Sequence, residues 1–78
     1  MLKLLFFAQC ADWMHRREME MPLSLPTSIE RLMGDPVFLP LRAKMGFLKV
    51  AVNRVMADAQ AEVRAGDEIA FMPPFSGG

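Results

Sequence analysis

Large apolar residues open the chain. From Leu2 to Gln9 they fill most positions, in a segment short enough for a strand and bounded by more polar sequence. Alternation along a strand places Leu2, Leu4, Phe6 and Ala8 on one face and Lys3, Leu5, Phe7 and Gln9 on the other. Apolar groups on both faces predict a central strand whose second face is only partly covered by its own chain. Cys10–Arg17 predicts a turn or short helix, with Asp12 as its candidate cap. Glu18, Glu20 and Pro22 then alternate with Met19, Met21 and Leu23, a period of two. Pro22 donates no ladder hydrogen bond, which puts this strand at an edge. The short link between the two strands predicts an antiparallel hairpin.

A helix start follows. Thr27 with Glu30 three positions later makes a capping-box pattern, and Ile29, Leu32 and Met33 recur at helical spacing. Gly34-Asp35-Pro36 interrupts that helix, and Asp35 with Pro36 predicts a second short helical piece to about Ala43, with Pro40 against its regularity. Phe47–Met56 predicts a strand or bent strand pair with Leu48, Val50 and Val52 toward the core. Ala65-Gly66-Asp67 is a turn, and Glu68–Met72 a last strand with Ile69 and Phe71 inward. The order strand, strand, helix, strand, strand predicts an α+β fold: a small mixed sheet with one main helix packed on one face. The ubiquitin-like β-grasp has this order, with first and last strands parallel neighbours at the centre.

Composition narrows the classes of function. The chain has 78 residues, a net charge of zero and 53% hydrophobic residues. One small domain fits, and a barrel or a dinucleotide-binding enzyme does not. Neutral balance argues against nucleic acid and against a polybasic membrane anchor. One Cys and one His leave no disulfide framework and no four-ligand zinc site of those residue types. The apolar run Leu4–Ala8 is shorter than a signal-peptide core and far shorter than a membrane span, so the expected location is cytoplasmic.

The ending carries the chemistry. After the strand at Met72 come Pro73, Pro74, Phe75, Ser76, Gly77 and Gly78. The prolines favour an extended exit, giving an expected domain over 1–72 and an extended tail over 73–78. Glycines carry no side chain, so Gly77-Gly78 can thread a narrow channel and present an α-carboxylate to a reagent. Two terminal glycines arise by chance in about one chain in 200. On a β-grasp fold the same pair is the reactive end of ubiquitin-like carriers.

The segments KLLFFAQ (Lys3–Gln9), Pro26-Thr27, AVN (Ala51–Asn53) and AGDEIAFMPPFSGG (Ala65–Gly78) resemble the small subunits of molybdopterin synthase along essentially the whole chain. Glu30–Met45 is short for that family, and Met72 stands where the family often has Phe. The resemblance implies a sulfur carrier with no catalytic side chains of its own and no permanently bound cofactor. The Gly78 carboxylate would be adenylated by an E1-like enzyme using ATP and magnesium, then converted to a thiocarboxylate. The tail would enter the large synthase subunit and donate sulfur to precursor Z, forming the molybdopterin dithiolene. The family's assembled synthase is a heterotetramer with two small subunits. A thiamine-biosynthesis sulfur carrier and a ubiquitin-like protein modifier share the same tail and are the alternatives.

Strand alternation independently places Phe7 and Met72 on the face away from the helix, and Met56 is a candidate third member of that patch. An apolar cluster at the root of the tail would dock both the activating enzyme and the large subunit. The competing reading buries Phe7 under the chain's own loops. Cys10 is read as a structural thiol rather than a persulfide relay, and Trp13 as a packing anchor. His15-Arg16-Arg17 and Arg54 are read as solvated surface charge.

Overall fold

A computed structural model describes residues 1–74. The apolar alternation at the start forms strand β1 (Leu2–Phe6), followed by helix α1 (Gln9–Met14) and strand β2 (Glu18–Met21). A two-residue strand β3 (Thr27–Ser28) leads into helix α2 (Ile29–Leu32), a 3-10 turn (Pro36–Phe38) and helix α3 (Leu39–Arg42). Strands β4 (Lys49–Val52), β5 (Val55–Ala57), β6 (Glu62–Val63) and β7 (Glu68–Met72) complete the chain.

Five strands form one mixed sheet in the order β2-β1-β7-β4-β5. Strand β1 pairs antiparallel with β2 and parallel with β7, and β7 pairs antiparallel with β4. The first and last strands are therefore parallel neighbours, and β2 ends at the edge just before Pro22. This is the expected β-grasp arrangement.

All helical pieces contribute to the core on one side of the sheet. Leu2, Leu4, Phe6, Val50, Ile69 and Phe71 of the sheet join Cys10, Met14, Ile29, Leu32, Phe38 and Leu41 in one buried cluster. Phe6 and Phe71 are register partners, their rings stacked at 5.5 Å, and Phe38 meets Phe71 at 5.7 Å. Trp13 packs on this cluster as an anchor, with the Lys44 ammonium 4.6 Å from its ring centre.

The single main helix is not built. Gly34-Asp35-Pro36 divides it into α2, the 3-10 turn and α3, each three or four residues long. Asp35 caps the second piece as expected, its carboxylate accepting from the Val37 N–H at 2.9 Å. Arg42 closes the break by donating to the carbonyls of Met33, Gly34 and Asp35 at 3.0–3.2 Å; the Asp35 carbonyl also accepts from the Phe38 N–H at 3.0 Å.

Thr27 does not cap α2. Its backbone pairs with Val63 in a two-stranded sheet, and Ser28 takes the role, accepting from the Arg31 N–H at 3.1 Å. Asp12 caps nothing either: Ala8 stands at the start of α1 with no side-chain cap, and Asp12 lies in the first turn. Strands β3 and β6 escaped the sequence reading because two residues cannot display a period of two. Phe47–Met56 divides into a hairpin, with Phe47 exposed before it and Asn53-Arg54 as its loop. Both loop residues have positive φ, 50° and 69°, the twist that two-residue hairpin loops require.

Candidate functional site

The sheet has one packed face and one open face. Alternation along β1 and β7 turns Leu5, Phe7, Ala70 and Met72 away from the core. Phe6 is in register with Phe71, so Phe7 and Met72 come next in line; the Phe7 N–H donates to the Phe71 carbonyl at 3.0 Å. Phe7 is 47% exposed, so the chain's own loops do not bury it. Met72 is half-buried. The structure therefore brings this expected pair together.

Met56 shares the face but not the immediate neighbourhood. It pairs with Ala51, which pairs in turn with Ala70, and Ala70 with Leu5. Strand β4 thus separates Met56 from β7, and Met56 is 60% exposed at the far side of the patch. The small residues Ala51 and Ala70 floor the space between Met56 and Leu5. Sequence reading missed their part, although the same alternation that located Phe7 assigns them to this face. A hollow of about 550 Å³ opens beside Phe7, lined also by Leu5, Ala8, Ala11, Asp12 and Arg17.

Charge lies toward the opposite end of this face. Lys3 pairs with Glu18 at 3.8 Å, and Arg54, its side chain 90% exposed, approaches Glu68 at 4.0 Å. At that end Asn53 ties two turns together. Its amide donates to Asp67 at 3.0 Å and its carbonyl oxygen accepts from the Glu68 N–H at 3.0 Å. The Asn53 bond, followed by that from the Arg64 N–H, holds the Asp67 carboxyl below its ordinary range. Gly66 at φ 96° makes the tight turn between Arg64 and Asp67, a conformation that side chains resist.

Strand β7 delivers the tail at the apolar end. Pro73 is buried and Pro74 half-buried, so the chain is still packed on the body at both. Phe75, Ser76, Gly77 and Gly78 lie outside the described residues. Cys10 is fully buried on the other side of the sheet, and burial pushes its thiol up, away from the thiolate that a relay would need. His15 is exposed at the end of α1. Among the described residues no group of three Asp, Glu, His or Cys could hold a metal ion, and no helix is long and apolar enough to cross a membrane.

Residues 4–78 match the ThiS family. The chain belongs to the ThiS family. Its likeness to known carriers extends end to end. The molybdopterin synthase sulfur carrier subunit of Haemophilus influenzae is 33% identical over 81 residues, spanning 100% of both chains. The crystal structure of H. volcanii small archaeal modifier protein 1 has a TM-score of 0.81 at 18% identity, covering 95% of this chain and 97% of that one. The complex of subunits 1 and 2 of molybdopterin-converting factor from Helicobacter pylori gives 0.68 at 19% identity, covering 99% and 97%. At these identities the two structures speak for the fold, the ubiquitin-like β-grasp already read from strand order.

Proposed function

We propose that this ThiS-family chain is the sulfur-carrying small subunit of a molybdopterin synthase and works through the α-carboxylate of Gly78. One observation carries the reading. An apolar pair, exposed Phe7 and half-buried Met72, stands on the open face at the point where β7 runs into Pro73-Pro74 and the Gly77-Gly78 ending. A partner seated on that pair would hold the tail at a fixed distance from its own active site. The whole-length likeness to a sulfur carrier subunit supports the same reading.

The chemistry needs no side chain from this protein. An E1-like enzyme would join the Gly78 carboxylate to the AMP portion of ATP, releasing pyrophosphate and making the acyl carbon electrophilic. A sulfide-level donor then forms the C–S bond as the mixed anhydride breaks and AMP leaves. The thiocarboxylate sulfur attacks precursor Z in the large subunit, and water restores the Gly78 carboxylate. Catalytic side chains belong to the two partners. The body acts as a handle, with Pro73 and Pro74 packed on it, and the residues beyond them as the arm.

Intact mass after incubation with the activating enzyme, ATP and a sulfur source tests the proposal. A gain of ~16 Da, oxygen replaced by sulfur, is the expected result. Deleting Gly78 should abolish it with the fold unchanged, and absence of the gain in the full chain refutes the carrier role. The modifier reading shares the Gly77-Gly78 ending and predicts instead an isopeptide adduct on a lysine. The thiamine carrier would show the same mass gain without binding a molybdopterin synthase large subunit.

A further inference from the structure

Alternation along β4 sends Val50 and Val52 into the core and turns Lys49, with Ala51, to the open face. Lys49 is the register partner of Met72, and such cross-strand partners lie about 5 Å apart at Cβ. Its ammonium is therefore within reach of the place where β7 ends. Lys49 is exposed and forms no ion pair among the described residues. The other cations toward the far end of this face are engaged, Lys3 with Glu18 and Arg54 with Glu68. Asp58, just beyond β5, accepts from the Gln60 N–H at 2.9 Å instead of meeting Lys49. Asp12 and Arg17, in the hollow on the other side of Phe7, carry opposite charges. One uncompensated ammonium thus flanks the Phe7–Met72 pair, on a chain whose net charge is zero.

We infer that Lys49 is a specificity residue for docking: the surface of the large subunit that covers Phe7 and Met72 carries an Asp or Glu carboxylate opposite Lys49. The inference rests on the docking reading above and adds the chemistry of the surface that docks. Covering Met72 strips part of the water from the neighbouring ammonium, and a charge so treated costs free energy unless an anion meets it. An apolar socket without an acid at this rim is therefore disfavoured, and one with a carboxylate there is selected. A charge at the rim of a contact acts mainly on the association rate and its dependence on salt.

Stopped-flow association with the large subunit, at about 20 and about 300 mM salt, tests this. Lys49→Gln should associate about threefold more slowly than the native chain at low salt, and Lys49→Glu about tenfold, with both differences shrinking at high salt. Lys49→Arg keeps the charge and should stay within about twofold of native. Arg31, exposed on α2 at the helix side of the sheet, is the control: Arg31→Glu makes the same change in net charge as Lys49→Glu and should associate at the native rate. Native rates for Lys49→Glu at low salt, equal slowing by Arg31→Glu, or slowing by Lys49→Arg to match Lys49→Gln overturns the inference and leaves the docking reading intact. Failure of the native chain to bind overturns the docking reading and the inference with it.

Discussion

Replacing Phe7 by Arg tests the open face most directly. Phe7 leaves 47% of its surface uncovered; for a ring that buries ~200 Å² in full, about 90 Å² stays open to a partner. At ~25 cal/mol per Å², closing that area contributes about 2 kcal/mol, roughly thirtyfold in Kd. Phe7→Arg forfeits this and places a charge in the contact, so about thirtyfold is a lower figure. In the free protein the arginine stem can cover much of what the ring covered. The loss of stability is then about 1 kcal/mol, a fall of about 4–8 °C in Tm for a domain of this size. Titration calorimetry against the large subunit reads the first effect and thermal unfolding by circular dichroism the second. Val55→Arg is the control, since Val55 is 68% exposed on the same hairpin as Met56 but on the opposite face. Its Kd should match the native value. An unchanged Kd for Phe7→Arg, or an equal loss for Val55→Arg, refutes the assignment of docking to this face.

Four further predictions concern the body. Arg54→Gly relieves φ 69° at the hairpin loop while losing only a 4.0 Å contact at an exposed side chain, and should raise stability by about 1 kcal/mol, or about 4–8 °C in Tm. Asn53→Ala should cost about 2 kcal/mol at neutral pH in denaturant titrations, because it removes two hydrogen bonds and leaves the Glu68 N–H without its acceptor. The same titrations across acid pH should show native stability contributed by Asp67 in full above about pH 4 and lost as pH falls through its depressed folded value. In Asn53→Ala that carboxyl returns toward its ordinary range, and the acid limb should flatten. Cys10, fully buried with its thiol pushed up, should resist iodoacetamide in the native protein and react on unfolding; rapid native labelling would contradict its structural role.

What the sequence made legible was whatever repeats with a period or carries distinctive turn chemistry. Leu2, Leu4 and Phe6 declare the buried face of β1, and Ile69 with Phe71 does the same for β7. Asp35-Pro36 marked a cap that the structure keeps. Three features were hidden for separate physical reasons. The β3–β6 pair is too short to show alternation. The hairpin loop uses Asn53-Arg54, where arginine takes a positive φ normally signalled by glycine. The cap passed from Thr27 to Ser28 because Thr27 is held by a strand partner distant in sequence, which no local pattern reveals. The open patch was legible only in part: Phe7 and Met72 follow from alternation, but their adjacency depends on the parallel pairing of the chain's two ends.

That pairing also bears on how so small a protein would present the reactive terminus proposed above. Strand β7 is hydrogen-bonded on both sides, to β1 and to β4, and Ile69 and Phe71 fix it from below in the core. It is thus among the most constrained elements of the fold, and the segment that leaves it starts from a well-fixed point. A tail rooted on an edge strand would inherit that strand's freedom to fray. Phe7, brought beside the same root from the other end of the chain, would give the proposed partner something to grip where the tail departs. The ends of β1 and β7 therefore meet at one place; on the proposed function, one would supply the docking residue and the other would lead to the acyl group. Only a fold whose first and last strands run parallel delivers both in the same direction.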